Sequence, residues 1–127
     1  MHKHLIALTI ILSSFFSTNS LAALSVLTEF GKNPGELTAS YFKGTQHNNN
    51  LIVLLHGCVQ QGEVLAQQTG LLALAKHKQF SLLIPQQNEN NNIKGCFNWF
   101  SKQDIEKNQG ESLSIKNMIS TVNAEQK

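Results

Sequence analysis

The chain has 127 residues, which is enough for one domain and too short for two of the usual size of roughly 100 to 200 residues. Its ten basic residues are all Lys and its acidic residues number eight, so the formal charge at pH 7 is only +2. A nucleic-acid surface needs clustered Lys and Arg, and Arg supplies the bidentate contacts. Because this chain has scattered Lys and no Arg, its composition argues against nucleic-acid binding.

The first segment has the pattern of a secretory signal. A short basic start, MHKH, precedes the apolar run LIALTIILSSFF, and the following STNSLA has small residues at Ser20 and Ala22, as signal peptidase prefers. We therefore predict residues 1–22 as a signal peptide and expect a secreted, periplasmic or extracellular protein. The alternative is a membrane anchor reaching Leu24, but a spanning helix needs about 20 mostly apolar residues. Ser, Thr and Asn interrupt this run, so we expect no stable membrane span after cleavage.

Two strands are predicted in the first part of the mature chain. Residues 23–36 form an amino-terminal segment that ends near the turn signal NPG, and residues 37–127 form the domain. Residues 37–43 (LTASYFK) have the Thr and aromatic content of a strand. Residues 51–55 (LIVLL) are apolar throughout, which is typical of a strand buried on both faces of a parallel sheet.

The next stretch predicts a strand-helix-strand unit. A helical region begins at residues 62–70 and continues through residues 71–78 with an apolar stripe at i, i+3 and i+4. Residues 80–84 (FSLLI) then form a short buried strand that Pro85 closes. Such crossovers are right-handed and join parallel strands, so the fold class is α/β.

A loop, an aromatic cluster and a final helix follow. Residues 86–92 (QQNENNN) are polar and are interpreted as a solvated connector. The GCFNWF stretch, residues 95–100, groups three aromatic side chains, for which core packing and ligand contact both stay open. Residues 111–122 carry apolar side chains at helical spacing, and Glu111 suits the first turn of a helix.

The two cysteines are Cys58 and Cys96. In a secreted small domain, one pair of cysteines predicts a disulfide. Metal binding is the alternative, but His47, His56 and His77 share no ligand spacing with each other. We therefore expect a disulfide and no metal site.

The strand at residues 51–55 stops abruptly at His56, Gly57 and Cys58. A tight turn there places backbone N–H groups at the carboxyl edge of a parallel sheet, where ligands of open α/β sheets bind. An N–H that points into a cleft can stabilise the oxyanion of an ester's tetrahedral intermediate. The turn is thus a candidate for half of an ester-hydrolysing site.

A wider pattern carries a family resemblance. The motifs LIVLLHGCVQQ, FSLLIPQQ, CFNWF and GESLSI, in that order, resemble the secreted poly(3-hydroxybutyrate) depolymerases and the related feruloyl-esterase-like enzymes over residues 37–122. The resemblance implies the amino-terminal half of an α/β-hydrolase fold with a mostly parallel sheet, incomplete in this chain. It also implies hydroxyalkanoate or short-chain esters as substrates, a serine acyl-enzyme, and no cofactor.

The resemblance assigns roles to the residues of the turn. The backbone N–H of Cys58 matches the oxyanion donor, and Cys58 with Cys96 matches a bridge to the aromatic segment. Independently of the resemblance, His56 stands at the strand end of the turn and is predicted, with Gly57, to be structural and not a general base.

The resemblance also suggests substrate contacts near the mouth of a cleft. These are Gln60, in the HGC-x-Q run, and Asn98 and Trp99, which Phe100 follows. Phe97 stands where the family usually has Trp, which leaves the role of that side chain open.

The catalytic groups themselves are missing from the sequence. Ester hydrolysis in this fold needs Ser in G-x-S-x-G, followed by Asp and then His. The nearest stretch, GESLS, lacks the second Gly, so Ser112 and Ser114 are predicted to be helix residues. Asp104 is the only Asp and no His follows His77. A thiol dyad of Cys58 and His56 is the other candidate for catalysis, but a cysteine held in a disulfide has no thiolate to offer.

We therefore expect the chain alone to be inactive, and two hypotheses account for it. It is either the amino-terminal part of an esterase cut short by a frameshift, premature stop or gene splitting, or a small exported binding module that keeps the half-fold and its aromatic cluster around Trp99. The first hypothesis predicts an uncovered strand edge, and hence self-association or completion by a missing carboxyl-terminal part.

Overall fold

A computed structural model of the protein describes residues 24–45 and 50–125. The predicted signal peptide lies outside these residues. The described strands are β1 (Ser25–Val26), β2 (Thr38–Phe42), β3 (Leu51–Val53) and β4 (Ser81–Gln86). The described helices are α1 (Gly62–Gln68), α2 (Leu71–Lys78), α3 (Lys102–Ile105) and α4 (Gly110–Glu125). None of these helices combines the length and the apolar character needed to cross a membrane.

The strands form one sheet in the order β1-β2-β4-β3. β3 and β4 are parallel and are joined through α1 and α2, which confirms the predicted strand-helix-strand unit. β1 pairs with β2 and β2 pairs with β4 in antiparallel fashion. The described part of the sheet is therefore mixed, and the expected mostly parallel arrangement holds only for the pair β3 and β4.

The prediction that residues 51–55 form a strand buried on both faces is wrong. β3 covers only Leu51–Val53 and lies at the edge of the described sheet, where only β4 pairs with it. Its middle residue, Ile52, is 41% exposed. The fully buried strand is β4, in which every residue from Ser81 to Pro85 is buried, because it lies between β2 and β3.

The prediction that Pro85 closes this strand is wrong. Pro85 lies within β4, opposite Ala39 of β2. The Leu54 N–H donates to the Leu83 carbonyl oxygen over 2.9 Å, so the backbone of Leu83 faces β3. Backbone directions alternate along a strand, so Pro85 faces the same side. Because β3 ends at Val53, the missing N–H of Pro85 breaks no bond of the sheet.

The core has one part on each face of the sheet. On one face Leu83 and Ala39 pack with Met118 and Val122 of α4. The other face packs against α1 and α2, and its buried side chains are Phe42, Ala66, Leu72, Ala75, Leu82 and Ile84. Helices therefore cover both faces, as the α/β class requires.

The predicted carboxyl-terminal helix is confirmed as α4, with a different inward face. Its buried side chains recur about every four residues and are Glu111, Ser114, Met118 and Val122. Leu113 and Ile115, which the apolar pattern also included, are only half-buried. Two polar side chains, Glu111 and Ser114, thus occupy core positions of the first two turns.

Candidate active site

The chain leaves β3 through a tight turn at residues 57–60. The Gln60 N–H donates to the Gly57 carbonyl oxygen over 3.3 Å, and the Gly57 N–H donates to the side-chain oxygen of Gln60 over 2.7 Å. A Cβ atom at Gly57 would lie 3.0 Å from that same Gln60 oxygen, so glycine lets the side chain close the turn.

Val59, in the middle of the turn, has an unusual backbone conformation. Its φ is +56°, a left-handed value that is a genuine outlier for a β-branched residue. Its N–H donates to the Lys94 carbonyl oxygen over 2.7 Å, which holds the residue in place. Strain of this kind concentrates at functional sites, where the surrounding structure keeps it.

One N–H group of the turn has no acceptor among the residues that the structure describes. The N–H groups of Gly57, Val59 and Gln60 all donate within the protein. The N–H of Cys58 donates to no group in the part of the chain that the structure describes, and the residue is exposed. It is thus the one N–H of residues 57–60 that has no acceptor among the described residues.

His56 lies beneath the turn and is 5% exposed. Its Nδ1 is 2.7 Å from the Gly57 carbonyl oxygen, and its Nε2 is 3.1 Å from the backbone nitrogen of Gln87. A backbone N–H only donates, so Nε2 is the acceptor and Nδ1 carries the proton that Gly57 accepts. Both ring nitrogens are thus engaged, and the ring also packs on Phe97 with 4.9 Å between centroids.

The predicted disulfide between Cys58 and Cys96 is confirmed. It links residues 38 positions apart and ties the turn to the aromatic segment. Neither cysteine is a free thiol. Among the described residues no group of three or more His, Cys, Asp or Glu side chains is placed to hold a metal ion.

The segment after β4 differs from the predicted solvated connector. Gln87 is 3% exposed, and its side chain donates to the Glu111 carboxylate and, over 3.1 Å, to the Cys96 carbonyl oxygen. The Asn91 side chain donates to Gln87 over 3.0 Å and to the Gly35 carbonyl oxygen over 2.8 Å. The amide side chains of the loop thus replace the backbone pairing that regular structure would supply. Composition alone concealed this, because the loop looks like low-complexity polar sequence.

Glu111 is the second polar residue that the sequence analysis missed as part of the site. It is 4% exposed, and its carboxylate also accepts the Asn98 N–H over 2.8 Å. Burial raises the pKa of its carboxyl group above the ordinary value of 4.5, hydrogen bonds from Asn98 and Gln87 oppose this shift, and the charge of Asp104 adds to it. A Glu in the first turn of a helix was the only sequence signal, and it pointed to the helix dipole rather than to Gln87 and Asn98.

The expected substrate-contact residues have different environments. Gln60 is exposed, and its side chain closes the turn. Asn98 is only 9% exposed, and its side-chain oxygen accepts from Asn92 over 2.8 Å. Trp99 is 73% exposed and meets the neighbouring ring of Phe100 edge to face, with 5.6 Å between centroids.

The two serines of GESLS lie in α4, as predicted, and their hydroxyl groups bond to backbone groups of the protein. The Ser112 hydroxyl donates to the Asp104 carbonyl oxygen over 2.8 Å. The Ser114 hydroxyl donates to the Gly110 carbonyl oxygen over 3.2 Å and accepts the Gly35 N–H over 2.9 Å. The carboxylate of Asp104 accepts the Glu111 N–H over 3.2 Å.

A mixed sheet with helices on both faces and a tight turn after a parallel strand make this fold α/β-hydrolase-like. The fold is similar to that of an acetyl xylan esterase from Aspergillus awamori, with a TM-score of 0.71 and 23% identity over 81% of this chain and 38% of that one. Residues 41–127 match the esterase PHB depolymerase family, and the chain belongs to that family. It is 41% identical over 112 residues to a poly(3-hydroxyalkanoate) depolymerase C from Paucimonas lemoignei. That match covers 85% of this chain and 26% of the relative, so the chain spans about a quarter of the curated relative's length.

Proposed function

We propose that this chain supplies the oxyanion-binding part of a secreted carboxylic-ester hydrolase that acts on hydroxyalkanoate or short-chain esters. The observation that carries the proposal is the N–H of Cys58, which has no acceptor in the described part of the chain and follows a parallel strand in a turn whose other N–H groups all donate within the protein. Membership of the family supports an ester or polyester as the substrate. The disulfide supports secretion, because such bonds persist in oxidising compartments.

The proposed role of Cys58 follows from the chemistry of acyl transfer. A serine hydroxyl attacks the ester carbonyl carbon, and the carbonyl oxygen becomes an oxyanion that the Cys58 N–H stabilises. The alcohol leaves with a proton from a histidine, and water then releases the acid from the acyl-enzyme. The 127 residues contain no G-x-S-x-G motif, so the nucleophile, the acid and the base come from outside this chain. On this proposal the chain alone is inactive.

Substrate contacts are proposed at the surface next to the turn. Trp99 and Phe100 offer exposed aromatic area for the aliphatic part of an ester, and Gln60 lies in the turn itself. Asn98 directly precedes Trp99 in the chain and is buried, and its bonds to Asn92 and Glu111 hold the backbone from which the indole projects. The contribution of Asn98 to substrate binding is therefore proposed to be indirect.

The edge of β3 is the proposed place of completion or self-association. β4 pairs with one side of β3, and no strand of the described residues pairs with the other. Unpaired strand edges bind other strands. We therefore propose that a further strand, from a missing carboxyl-terminal part or from a second copy of the chain, pairs with β3.

A small exported binding module is the second candidate function. The exposure of Trp99 and Phe100 favours it, because an exposed aromatic pair can bind a polyester surface without any catalytic group. In this case the chain would bind granules of the polymer as it stands.

The first experiment reads the coding sequence beyond the codon for Lys127 in all three frames. We expect a strand followed by G-x-S-x-G, then Asp and His. In parallel, the purified chain is assayed with p-nitrophenyl butyrate and with polyester granules. Turnover that a fluorophosphonate blocks would refute the missing-nucleophile proposal, and granule binding with no downstream motif in any frame would favour the binding module.

A further inference from the structure

The direction of the Cys58 N–H depends on the carbonyl group of Gly57. These two groups belong to one peptide unit, which is planar and trans, so they point in opposite directions. The Gly57 oxygen accepts from Nδ1 of His56 over 2.7 Å. The Gly57 oxygen also accepts the Gln60 N–H over 3.3 Å, so the His56 ring is the nearer of two groups that orient the candidate oxyanion donor.

Gln87 holds the His56 ring from the other side. Its backbone N–H donates to Nε2 over 3.1 Å. The side chain of Gln87 is itself locked: its two amide hydrogens go to Glu111 and to the Cys96 oxygen, and its oxygen accepts from the Asn88 N–H over 2.8 Å and from Asn91 over 3.0 Å. An amide offers two donors and two acceptor lone pairs, so every position is used. A flipped amide would turn its oxygen toward two other oxygens.

The carboxylate of Glu111 connects this arrangement to α4. One oxygen accepts from Gln87 and the other accepts the Asn98 N–H over 2.8 Å. The only ion pair among the described residues joins Lys102 and Glu106, so Glu111 has no cationic partner there. A buried carboxylate without a cation is costly, and an apolar side chain would pack α4 at lower cost. Core packing alone thus does not explain why this position carries Glu.

We propose that Gln87 and Glu111 are positioning residues that orient the Cys58 N–H, through the backbone of Gln87 and the ring of His56. This inference builds on the proposed function, since the direction of that N–H matters for catalysis only if it binds an oxyanion. Glu111 selects the amide orientation of Gln87 because a carboxylate only accepts hydrogen bonds. Gln87 in turn keeps the end of β4 at the distance at which its N–H meets His56.

The test measures the orientation of the Cys58 N–H in the full chain by residual dipolar couplings in ¹⁵N-labelled protein. Glu111→Gln places an amide against the donors of Gln87 and Asn98, and Gln87→Glu places a second carboxylate against Glu111. The double variant Gln87→Glu/Glu111→Gln exchanges donor and acceptor and restores the bond between positions 87 and 111, while the bond to the Cys96 carbonyl oxygen stays lost, so recovery is partial. Glu89→Gln and Gln67→Glu make the same chemical changes at exposed positions and serve as controls.

We expect each single variant to change the Cys58 coupling and to speed amide exchange at Val59 and Gln60 by about tenfold, with exchange at Leu82 and Leu83 unchanged. The double variant is expected to return the Cys58 coupling toward its original value, and the controls to leave it unchanged. An unchanged coupling in both single variants would overturn the proposal, as would a double variant that recovers stability but not the coupling.

If Gln87→Glu does not fold, a second variant takes its place in the test. Glu111→Asp keeps the charge but shortens the side chain, so it loses reach toward Gln87, and its Cys58 coupling is expected to change in the same way. None of these readings needs ester turnover. A missing nucleophile downstream would therefore remove the catalytic meaning of the Cys58 N–H without altering the outcome of this test.

Discussion

Nδ1 of His56 lies 2.7 Å from the carbonyl oxygen of Gly57, the next residue in the chain. This hydrogen bond places the imidazole ring beneath residues 57–60, so the histidine supports the backbone that follows it. Since Nε2 accepts the Gln87 N–H at the same time, one neutral tautomer satisfies both bonds. The side chain is thereby part of the turn and is not exposed toward a substrate.

Replacement of His56 should destabilise the fold. His56→Ala removes both hydrogen bonds, leaves the Gln87 N–H without its acceptor and opens a space beside Phe97. We expect the free energy of unfolding to fall by about 2 to 4 kcal/mol, measured by urea denaturation with circular dichroism. His77→Ala, at an exposed position of α2, is the control and should change it by less than about 0.5 kcal/mol. Equal effects of the two substitutions would show that the contacts of His56 add nothing.

Glu111 should make stability depend on pH. Because burial raises the pKa of its carboxyl group in the folded protein, the folded state keeps the proton to a higher pH than the unfolded chain does. The resulting stability is fully present below the ordinary pKa of 4.5 and is lost as the pH rises through the higher folded pKa. The free energy of unfolding of the original protein, relative to that of Glu111→Gln, should therefore be higher at pH 4.5 than at pH 7.

Urea unfolding at these two pH values measures this difference. Glu89→Gln, which removes an exposed carboxylate from the loop after β4, is the control and should follow the original protein. A difference for Glu111→Gln that is constant with pH would contradict the assignment of the raised pKa to this residue.

The disulfide should contribute strongly to stability. The bond between Cys58 and Cys96 closes a loop of 38 residues, for which the chain-entropy relation gives on the order of 4 kcal/mol. We expect the variant Cys58→Ser/Cys96→Ser to lose about that much in the free energy of unfolding. Dithiothreitol should destabilise the original protein by a similar amount and leave the double variant unchanged. A response of the double variant to the reductant would point to another cause.

The two edges of the sheet should differ in self-association. Ile52 in β3 and Val26 in β1 are both exposed apolar residues at the two edges of the described sheet. β3 also belongs to the apolar run of residues 51–55. If copies of the chain associate through β3, Ile52→Lys should lower the sedimentation coefficient toward that of the monomer, because a charged edge resists pairing. Val26→Lys adds the same charge at the other edge and should have little effect. A monomeric original protein at micromolar concentration would argue against association through β3.

The sequence allowed the elements to be predicted wherever a local pattern decided them. The strand-helix-strand unit, α4 and the pairing of Cys58 with Cys96 are confirmed, because periodicity, strand-breaking residues and a single cysteine pair carry that information locally. The HGC turn and its neighbouring motifs were also enough to indicate the family. The role of the Cys58 N–H stays a prediction.

Only the tertiary structure decided which surfaces these elements share. Whether an apolar strand such as β3 lies at the centre or the edge of a sheet depends on strands far away in the chain, so the exposure of β3 could not be predicted from the apolar run of residues 51–55. The same holds for Gln87 and Glu111, which are 24 residues apart and meet because β4 and α4 bring them together. A polar side chain looks solvated in a sequence until the fold places a hydrogen-bonding partner beside it, and that partner comes from non-local packing.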